Sequence, residues 1–272
     1  MPSQFWNEEA AARARSFRYE FAERTLAGKT VIVAGGTGGL GAALVALLCR
    51  EGARVIVGYR SNQERAQALA AAMRGQFGAT LMLVGGDLLQ EQTRDLMLQT
   101  ARAGSEPLAG AAIFPGDPAR APLDSLSREA MQASAEANYI GPVLLARQLG
   151  AAMEASEAGG NVVLLSTMQG VGVFPSSLNY AAPKAALVHA ARVLAATWKK
   201  VCVNVVAPGA TTSGMAEASV SAGKYDSYLA AGAIPRFGRP EDVARAVRFF
   251  LEPDSYITGQ VMVVDGGLTI RK

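Results

Sequence analysis

The feature that most constrains the fold is a β-branched run that leads into clustered glycines and then into an apolar stretch. Residues 31–41 read VIVAGGTGGLG. A strand that turns sharply into a helix needs glycine for the tight turn, for close approach of a ligand to the backbone, and for packing of the helix on the strand. The free N–H groups and the dipole at the start of the helix favour an anion. The segment therefore predicts a strand–turn–helix unit that binds phosphate.

The glycines of this turn fit two spacings. Gly36, Gly38 and Gly41 give GxGxxG, whereas Gly35, Gly39 and Gly41 give GxxxGxG. Either match is weak evidence by itself, because glycine-rich turns are common in loops. The position of the turn in the first strand–helix unit of an alternating chain favours the phosphate-binding interpretation.

After Gly28 the chain alternates short apolar runs with helical stretches. Nearly all-apolar strands separated by helices are typical of a parallel sheet that is covered on both faces. No linker and no solenoid repeat interrupts the pattern, so we expect residues 28–272 to form one dinucleotide-binding catalytic domain. Its fold class would be α/β, a doubly wound parallel sheet with helices on both faces. The predicted strands are 30–34, 54–58, 80–84, 111–114, 161–166, 201–206 and 260–264.

Residues 1–27 are predicted to be a helical extension. An amphipathic helix from about Phe5 to Leu26 would place Phe17 and Phe21, four residues apart, on one face. We expect that face to pack on the main domain or on a second subunit. Contact with substrate or membrane is the alternative.

Composition excludes several classes of function. The formal charge of +3 is spread along the chain, which argues against a nucleic-acid partner. No apolar run has the length of a membrane span, and no signal-peptide core is visible. Cys49 and Cys202 lie alone in apolar runs, which favours reduced thiols and a cytoplasmic location. His189 is the single histidine, so a metal site and a Ser-His-Asp site are both disfavoured.

The end of the second predicted strand bears on the choice of cofactor. An NAD site usually offers Asp or Glu there, about 20 residues after the glycines. Residues 57–62 read VGYRSN and contain no carboxylate. Arg60 and Ser61 would instead hold a ribose 2′-phosphate by charge and hydrogen bonds. This favours NADP(H), with NAD(H) possible, and the alternative is that Arg60 is a solvated loop arginine.

Tyr180 and Lys184 are four residues apart and share one face of a predicted helix. Pro183 would break a helix interior, so the pair should lie in the first turn. A free tyrosine is too weak an acid for work near neutrality, and a nearby ammonium group lowers its pKa. The pair therefore predicts general acid–base chemistry. Because YxxxK is frequent by chance, a surface pair is the alternative.

Together these motifs resemble the short-chain dehydrogenase/reductase family, whose fold is of the Rossmann type. The resemblance covers about residues 26–270 in the family's order and spacing. It is strongest to the bacterial 3-oxoacyl-thioester reductases, on the strength of Tyr59–Asn62 and Ile234–Gly238. The residues that carry the family resemblance are the glycine turn, Asp87, Asn138, Ser166–Thr167, Tyr180, Lys184, Pro208–Gly209 and Val264–Gly267.

The resemblance implies a catalytic tetrad and a nicotinamide cofactor that carries the hydride. Tyr180 would exchange the proton, and Lys184 would hold the nicotinamide ribose and lower the tyrosine pKa. Asn138 would hold a water of a proton relay. Thr167, thirteen residues before the tyrosine, would polarise the substrate oxygen. The implied cofactor-binding residues are Gly35, Thr37, Gly39, Leu40, Gly41, Arg60, Ser61, Asp87, Leu88, Gly116, Pro208, Gly209 and Ser213.

Three positions depart from the family pattern. Thr167 stands where serine is usual, and its methyl group stiffens the rotamer. Ser166 is an alternative, although a strand would point it to the opposite face. Ile113–Gly116 replaces the usual Asn-Asn-Ala-Gly, which alters the floor of the cofactor pocket. Gly38 stands where many NADP-preferring members carry a basic residue.

The sequence supports two functions. The first is an NAD(P)-dependent oxidoreductase that interconverts a small-molecule carbonyl and a secondary alcohol. The second, prompted by Ile113–Gly116 and Thr167, is a cofactor-binding regulator or scaffold without turnover. A dehalogenase-like lyase is a weaker third reading, which Lys184 and the intact glycine turn disfavour.

Family likeness implies a homotetramer or homodimer. Residues 211–232 have the composition of a mobile lid and give no charge partner for a substrate.

Overall fold

The computed structural model describes residues 3–271 and contains one seven-stranded sheet over that range. All its strand pairs are parallel, and the strand order is β3-β2-β1-β4-β5-β6-β7. The doubly wound α/β fold predicted from the apolar alternation is therefore confirmed. The strands are β1 Thr30–Ala34, β2 Arg54–Tyr59, β3 Met82–Gly85, β4 Leu108–Ile113, β5 Gly160–Leu165, β6 Val201–Pro208 and β7 Val261–Val264.

The sheet grows outward from β1, first towards β3 and then, after a crossover, towards β7. Val33 of β1 is paired with Val57 of β2 on one side and with Ala112 of β4 on the other. The direction of winding therefore reverses between β1 and β4. In open α/β sheets the crevice at the carboxyl ends of the strands beside such a reversal is where ligands bind.

Helices cover both faces of the sheet and enclose two apolar cores. One core lies under α2 and α10 and includes Leu44, Leu48 and Val247. The other lies under α4, α6 and α7 and includes Leu145 and Leu187. The helices of the described range are α1 Glu8–Arg15, α2 Gly39–Glu51, α3 Gln63–Phe77, α4 Glu91–Arg102, α5 Arg128–Ala135, α6 Gly141–Glu154, α7 Leu178–Thr197, α8 Glu217–Ser221, α9 Asp226–Ala230 and α10 Pro240–Phe250.

The prediction that Pro183 lies in a first helical turn is wrong. Helix α7 begins at Leu178, so Pro183 is in its interior. Proline has no N–H for the carbonyl four residues earlier, which is that of Asn179. The buried Ser134 hydroxyl donates to this carbonyl. A side chain of α5 thus satisfies the acceptor that the proline leaves free, and the helix continues.

The predicted helix from Phe5 to Leu26 is much shorter in the structure. It spans Glu8–Arg15 and ends where Phe17 takes a left-handed backbone conformation, with φ of 55°. The side chains of Phe17 and Phe21 are 84% and 90% exposed, so they do not pack on the domain. Leu26 is fully buried in the core under α2 and α10. The spacing of the two phenylalanines by one helical turn therefore did not correspond to a continuous helix.

No helix within residues 3–271 combines the length and the apolar character that crossing a membrane requires.

Candidate functional site

The glycine turn lies at the carboxyl end of β1, beside the reversal of the sheet. Gly35 has a φ of 73°, and both Gly35 and Gly36 donate backbone N–H groups to the carbonyl of Gly58 on β2. Helix α2 then begins at Gly39 and aims its amino end at the cleft. The predicted strand–turn–helix unit is present, and its helix start can bind an anion.

The close packing of this turn admits only glycine at two positions. A Cβ at Gly41 would collide with the Gly35 carbonyl and lie 2.8 Å from the Gly36 Cα. A Cβ at Gly39 would collide with the Ser213 hydroxyl, which reaches over the turn from the segment after β6. Glycine at these positions therefore permits the tight packing of the turn, which is a requirement of dinucleotide-binding turns.

Two arginines border this turn. Arg60, at the end of β2, is exposed and lines the cleft. Arg65, in the first turn of α3, donates from Nε to the Thr37 carbonyl at 2.6 Å. Within residues 3–271 neither arginine has a carboxylate within 4 Å. Both arginines are thus without a carboxylate partner in that range, Arg60 in the lining of the cleft and Arg65 beside Thr37, outside that lining. Ser61 is exposed, lies outside the cleft lining, and offers its carbonyl to the backbone of Gln63.

The other predicted cofactor residues divide between two clefts. The first cleft, of about 780 Å³, runs along the carboxyl ends of β1, β2 and β4. The second, of about 500 Å³, lies under the segments after β5 and β6 and contains Pro208, Gly209 and Ser213. Leu40, Phe114 and Met215 line both clefts, so they form one continuous groove. The predicted residues in the first cleft are Gly35, Thr37, Gly39, Leu40, Gly41, Arg60, Asp87, Leu88 and Gly116.

The altered segment after β4 forms part of the lining of this groove. The Phe114 N–H donates to the Ala34 carbonyl at 3.0 Å, and the Phe114 side chain is mostly buried. A Cβ at Gly116 would lie 2.7 Å from Asn138 Oδ1 and 3.1 Å from Lys184 Nζ. The one glycine retained in this segment is therefore the residue that lets both polar side chains approach.

Tyr180 lies in the second cleft together with Thr167. The Thr167 side chain is within hydrogen-bonding reach of the phenol. Ser166 turns away from it and donates to the Lys184 carbonyl at 2.9 Å. As the alternation along a strand predicts, the hydroxyl beside the tyrosine belongs to Thr167.

The pKa values of the Tyr–Lys pair differ from the sequence-based expectation. Burial raises the pKa of Tyr180 to about 12, opposed by the hydrogen bond from Thr167, and the charge of Lys184 does not contribute. Lys184 is fully buried, and this burial lowers its pKa to about 7. Its Nζ donates to the Leu165 carbonyl at 2.8 Å and to the Pro115 carbonyl at 3.3 Å. The expected lowering of the tyrosine pKa by Lys184 is therefore not found among the protein groups themselves.

Asn138 lies behind the groove, in a π turn over Glu136–Ile140. Its Oδ1 accepts the Asp117 N–H at 3.1 Å, while its Nδ2 donates to the Asp117 carbonyl at 3.0 Å and to Ser134 at 3.2 Å. The side chain thus clamps the loop after β4, an arrangement the water-holding role did not anticipate. π turns are rare and occur frequently at functional sites.

Sequence reasoning missed Arg65, Arg120 and Tyr225. Arg65 had a usable signal, because a cation in the first helical turn opposes the helix dipole unless an anion is bound there. Arg120 and Tyr225 line the second cleft from loops 105 residues apart. No local pattern indicates that such loops meet. Within the described part of the chain, no group of three or more His, Cys, Asp or Glu side chains is placed to hold a metal ion.

The chain is similar in sequence to several known proteins. A family model described as "Enoyl-(Acyl carrier protein) reductase" matches residues 34–269. A tropinone reductase homolog from Arabidopsis thaliana is 30% identical over 255 residues, covering 91% of this chain and 94% of that relative. A 3-oxoacyl-acyl-carrier-protein reductase from Aggregatibacter actinomycetemcomitans is 29% identical over 248 residues, covering 88% of this chain and 99% of that relative.

A solved structure agrees with the fold over the same range. The short-chain type dehydrogenase/reductase from Mycobacterium ulcerans superposes with a TM-score of 0.82 at 25% identity, covering 91% of this chain and 92% of its own. The resemblance to bacterial 3-oxoacyl reductases is confirmed at this modest level of identity. The relatives carry names for different reactions, so they indicate a class of chemistry and leave the substrate open.

Proposed function

The chain belongs to the short-chain dehydrogenase/reductase family of NAD(P)(H)-dependent oxidoreductases, and we propose that it reduces a small-molecule carbonyl with NADPH. In this proposal Tyr180 is the proton donor and residues 28–272 form the catalytic domain. The observation that carries it is the position of the Tyr180 phenol. It shares the second cleft with Thr167, and that cleft continues directly into the groove at the glycine turn.

The state of the phenol favours reduction near neutral pH. Because burial raises the pKa of Tyr180 to about 12, its hydroxyl keeps its proton and is ready to donate it. The Thr167 side chain lies within hydrogen-bonding reach of the phenol and would bind the same carbonyl oxygen of the substrate as Tyr180. When bound, the cofactor supplies the hydride, while the chain supplies position and electrostatics. Proton delivery to the carbonyl oxygen thus falls to Tyr180.

Lys184 supports the floor of the site from behind. Its ammonium holds the Leu165 and Pro115 carbonyls, the first at the end of β5 and the second after β4. We propose that the same group binds the nicotinamide ribose, which is supported by its closeness to Gly116 in the cofactor groove. A pKa of about 7 also lets it exchange a proton at neutral pH.

The test of this function is consumption of reduced cofactor. The protein should lower the absorbance of NADPH when mixed with a panel of ketones and acetoacetyl thioesters, and the product should be the matching alcohol. Tight binding of NADPH without turnover of any substrate would instead indicate a cofactor-binding regulator or scaffold.

A preference for NADPH over NADH is supported by Arg60 and Arg65. We expect Arg65→Gln to raise the dissociation constant of NADPH about tenfold and to leave that of NADH within about twofold, because a charge-assisted hydrogen bond to a phosphate is lost. Arg60→Gln should act in the same direction. Titration of nucleotide fluorescence measures both constants.

Arg74→Gln is the matched control for the cofactor experiment. Arg74 is exposed near the other end of α3, about 13 Å along the helix from Arg65 at 1.5 Å per residue. The Arg74→Gln substitution removes one positive charge from the same helix and leaves the glycine turn unchanged. Equal weakening of NADPH and NADH by Arg65→Gln would contradict a 2′-phosphate site.

A further inference from the structure

The second cleft is lined by cations and lacks carboxylates. Arg120, Lys184 and Lys224 are the charged side chains in its lining over residues 3–271. Lys184 lies at the buried end beside Tyr180, whereas Arg120 and Lys224 are exposed. A cleft with charges of one sign concentrates ligands of the opposite sign. Lys224 lies within residues 211–232, whose small side chains had led us to expect no charge partner for a substrate, so the structure corrects that expectation.

Arg120 follows a strained and firmly held loop. Ala119 has a φ of 45°, which is unfavourable for a residue with a Cβ. Its carbonyl accepts from Asn179 Nδ2 at 3.0 Å, and its N–H donates to Asp117 Oδ1 at 2.8 Å. Asn138 clamps Asp117 from the other side. Strained backbone persists only where its surroundings enforce it and is concentrated at functional sites. Here two buried asparagines enforce the conformation that presents Arg120 to the cleft.

The guanidinium of Arg120 has donors to spare. Only its Nη2 bonds within the described chain, to the Met215 carbonyl at 3.4 Å and to Ser219 at 3.3 Å. Both distances exceed the usual range for N–H···O bonds. No carboxylate of residues 3–271 lies within 4 Å of Arg120 or Lys224. A planar fork with free N–H groups matches the geometry of a carboxylate or phosphate.

Tyr225 joins the two cations to the catalytic end of the cleft. Its ring is buried against Ile234 and Leu268, and Lys224 Nζ lies 5.7 Å from the ring centroid. Burial raises the pKa of Tyr225, and the nearby charge of Arg120 opposes this shift. Burial also raises the pKa of Tyr180, and Tyr225 adds to that shift. The two cations therefore line the same cleft of about 500 Å³ as Tyr180, with Lys224 close to the Tyr225 ring.

We propose that the substrate carries an anionic group, a carboxylate or a phosphate, which Arg120 and Lys224 bind at the mouth of the second cleft while its carbonyl lies against Tyr180 and Thr167. This inference rests on the proposed carbonyl reduction and narrows its substrate class. Uncharged ketones of the same length leave both cations without a partner. They should therefore bind less well.

The test compares pairs of carbonyl substrates in which one member carries an anionic group and the other is its uncharged counterpart. An oxo acid is paired with its methyl ester, and a phosphorylated hydroxyketone with the free hydroxyketone, each assayed with NADPH. We expect kcat/KM to be at least about tenfold higher for the anionic member of one pair or both, and we expect the difference to shrink as salt is added. The pair with the larger ratio identifies carboxylate or phosphate as the preferred group.

Variants assign the effect to the two cations. Arg120→Gln and Lys224→Gln should each raise KM for the anionic substrate about tenfold, with kcat little changed and KM for the neutral partner within about twofold. Arg120→Lys should restore part of the loss. Arg128→Gln removes an exposed charge at the first residue of α5, outside the cleft, and should behave as the unmodified protein.

Direct binding separates this inference from the proposed reaction. Calorimetric titration of the oxo acid and of the phosphorylated hydroxyketone into the protein saturated with NADP⁺ should show affinity that Arg120→Gln weakens about tenfold. Binding without turnover would overturn the reductase proposal but uphold the anion site. Turnover of neutral and anionic partners with equal kcat/KM, unchanged by both variants, would overturn the anion site and leave the reductase proposal standing.

Discussion

Replacing Tyr180 by phenylalanine is expected to lower kcat/KM for carbonyl reduction about 10³-fold. A positioned general acid contributes about 10²–10⁴-fold, and the phenol is the group that shares the second cleft with Thr167. Phenylalanine fills the same half-buried space, so the fold and the affinity for NADPH should be retained. Steady-state kinetics together with a nucleotide titration measure the two quantities separately.

Tyr228→Phe is the control for this variant. Tyr228 is half-buried in α9 and lies outside both clefts, so loss of its hydroxyl should change kcat/KM by less than about threefold. Reduction by Tyr180→Phe at the unmodified rate would remove the proposed mechanism.

The pH dependence of Tyr180 has a defined sign. Since burial raises its pKa to about 12, the phenol is protonated throughout the neutral range, and carbonyl reduction should not gain from higher pH through this group. Alcohol oxidation requires the phenolate, so its rate should rise with pH. Rates in both directions from about pH 6 to about pH 9 test this, and in Tyr180→Phe the rise in oxidation should be absent.

Lys184→Met is expected to reduce kcat/KM by about 10²-fold or more. The variant removes the buried ammonium that holds the Leu165 and Pro115 carbonyls, and so disturbs the floor between the cofactor groove and Tyr180. Methionine matches the length of the aliphatic stem without the charge. Lys199→Met, at an exposed lysine outside both clefts, should leave kcat/KM unchanged.

Comparison with Lys184→Met also tests how the free energy of unfolding depends on pH. The folded-state pKa of Lys184, about 7, lies below the ordinary value of 10.5, so the unfolded chain binds more protons between these limits. The contribution of Lys184 to the free energy of unfolding therefore rises with pH from about 7 and levels off near 10.5. Between about pH 7 and about pH 8.5, the unmodified protein should gain about 2 kcal/mol of unfolding free energy relative to Lys184→Met.

Urea unfolding at the two pH values measures that difference. A difference that stays constant, or one that falls as the pH rises, would mean that Lys184 keeps an ordinary pKa in the folded protein. The kinetic loss would then need another cause.

The fold was accessible from sequence because its main signals are local. Apolar runs such as 30–34 and 201–206 must be covered on both faces, and a glycine turn between the first strand and a helix admits few alternatives. All seven predicted strands are present, with ends shifted by up to three residues. The N-terminal helix was overextended, because two phenylalanines at helical spacing do not exclude a left-handed residue between the helix and the rest of the segment.

The candidate site was accessible only in part. Tyr180 and Lys184 were found because one helical turn separates them, and Thr167 because the family resemblance puts a hydroxyl thirteen residues before the tyrosine. The pKa values of Tyr180 and Lys184 were not predicted from the sequence, because the raised value of the phenol and the lowered value of the ammonium are consequences of burial. Burial depends on what packs around a group, and a spacing does not reveal it.

The sequence by itself determined a phosphate-binding turn, a parallel sheet and an acid–base pair, because each depends on residues that are neighbours along one strand or one helix. The tertiary structure alone decided that Arg120 and Tyr225 share a cleft, that Ser134 stabilises the helix around Pro183, and that Asn138 clamps a loop. These pairs of residues are 21 to 105 positions apart along the chain. Only the folding of the chain around the sheet brings such residues together, because no local preference acts over that separation.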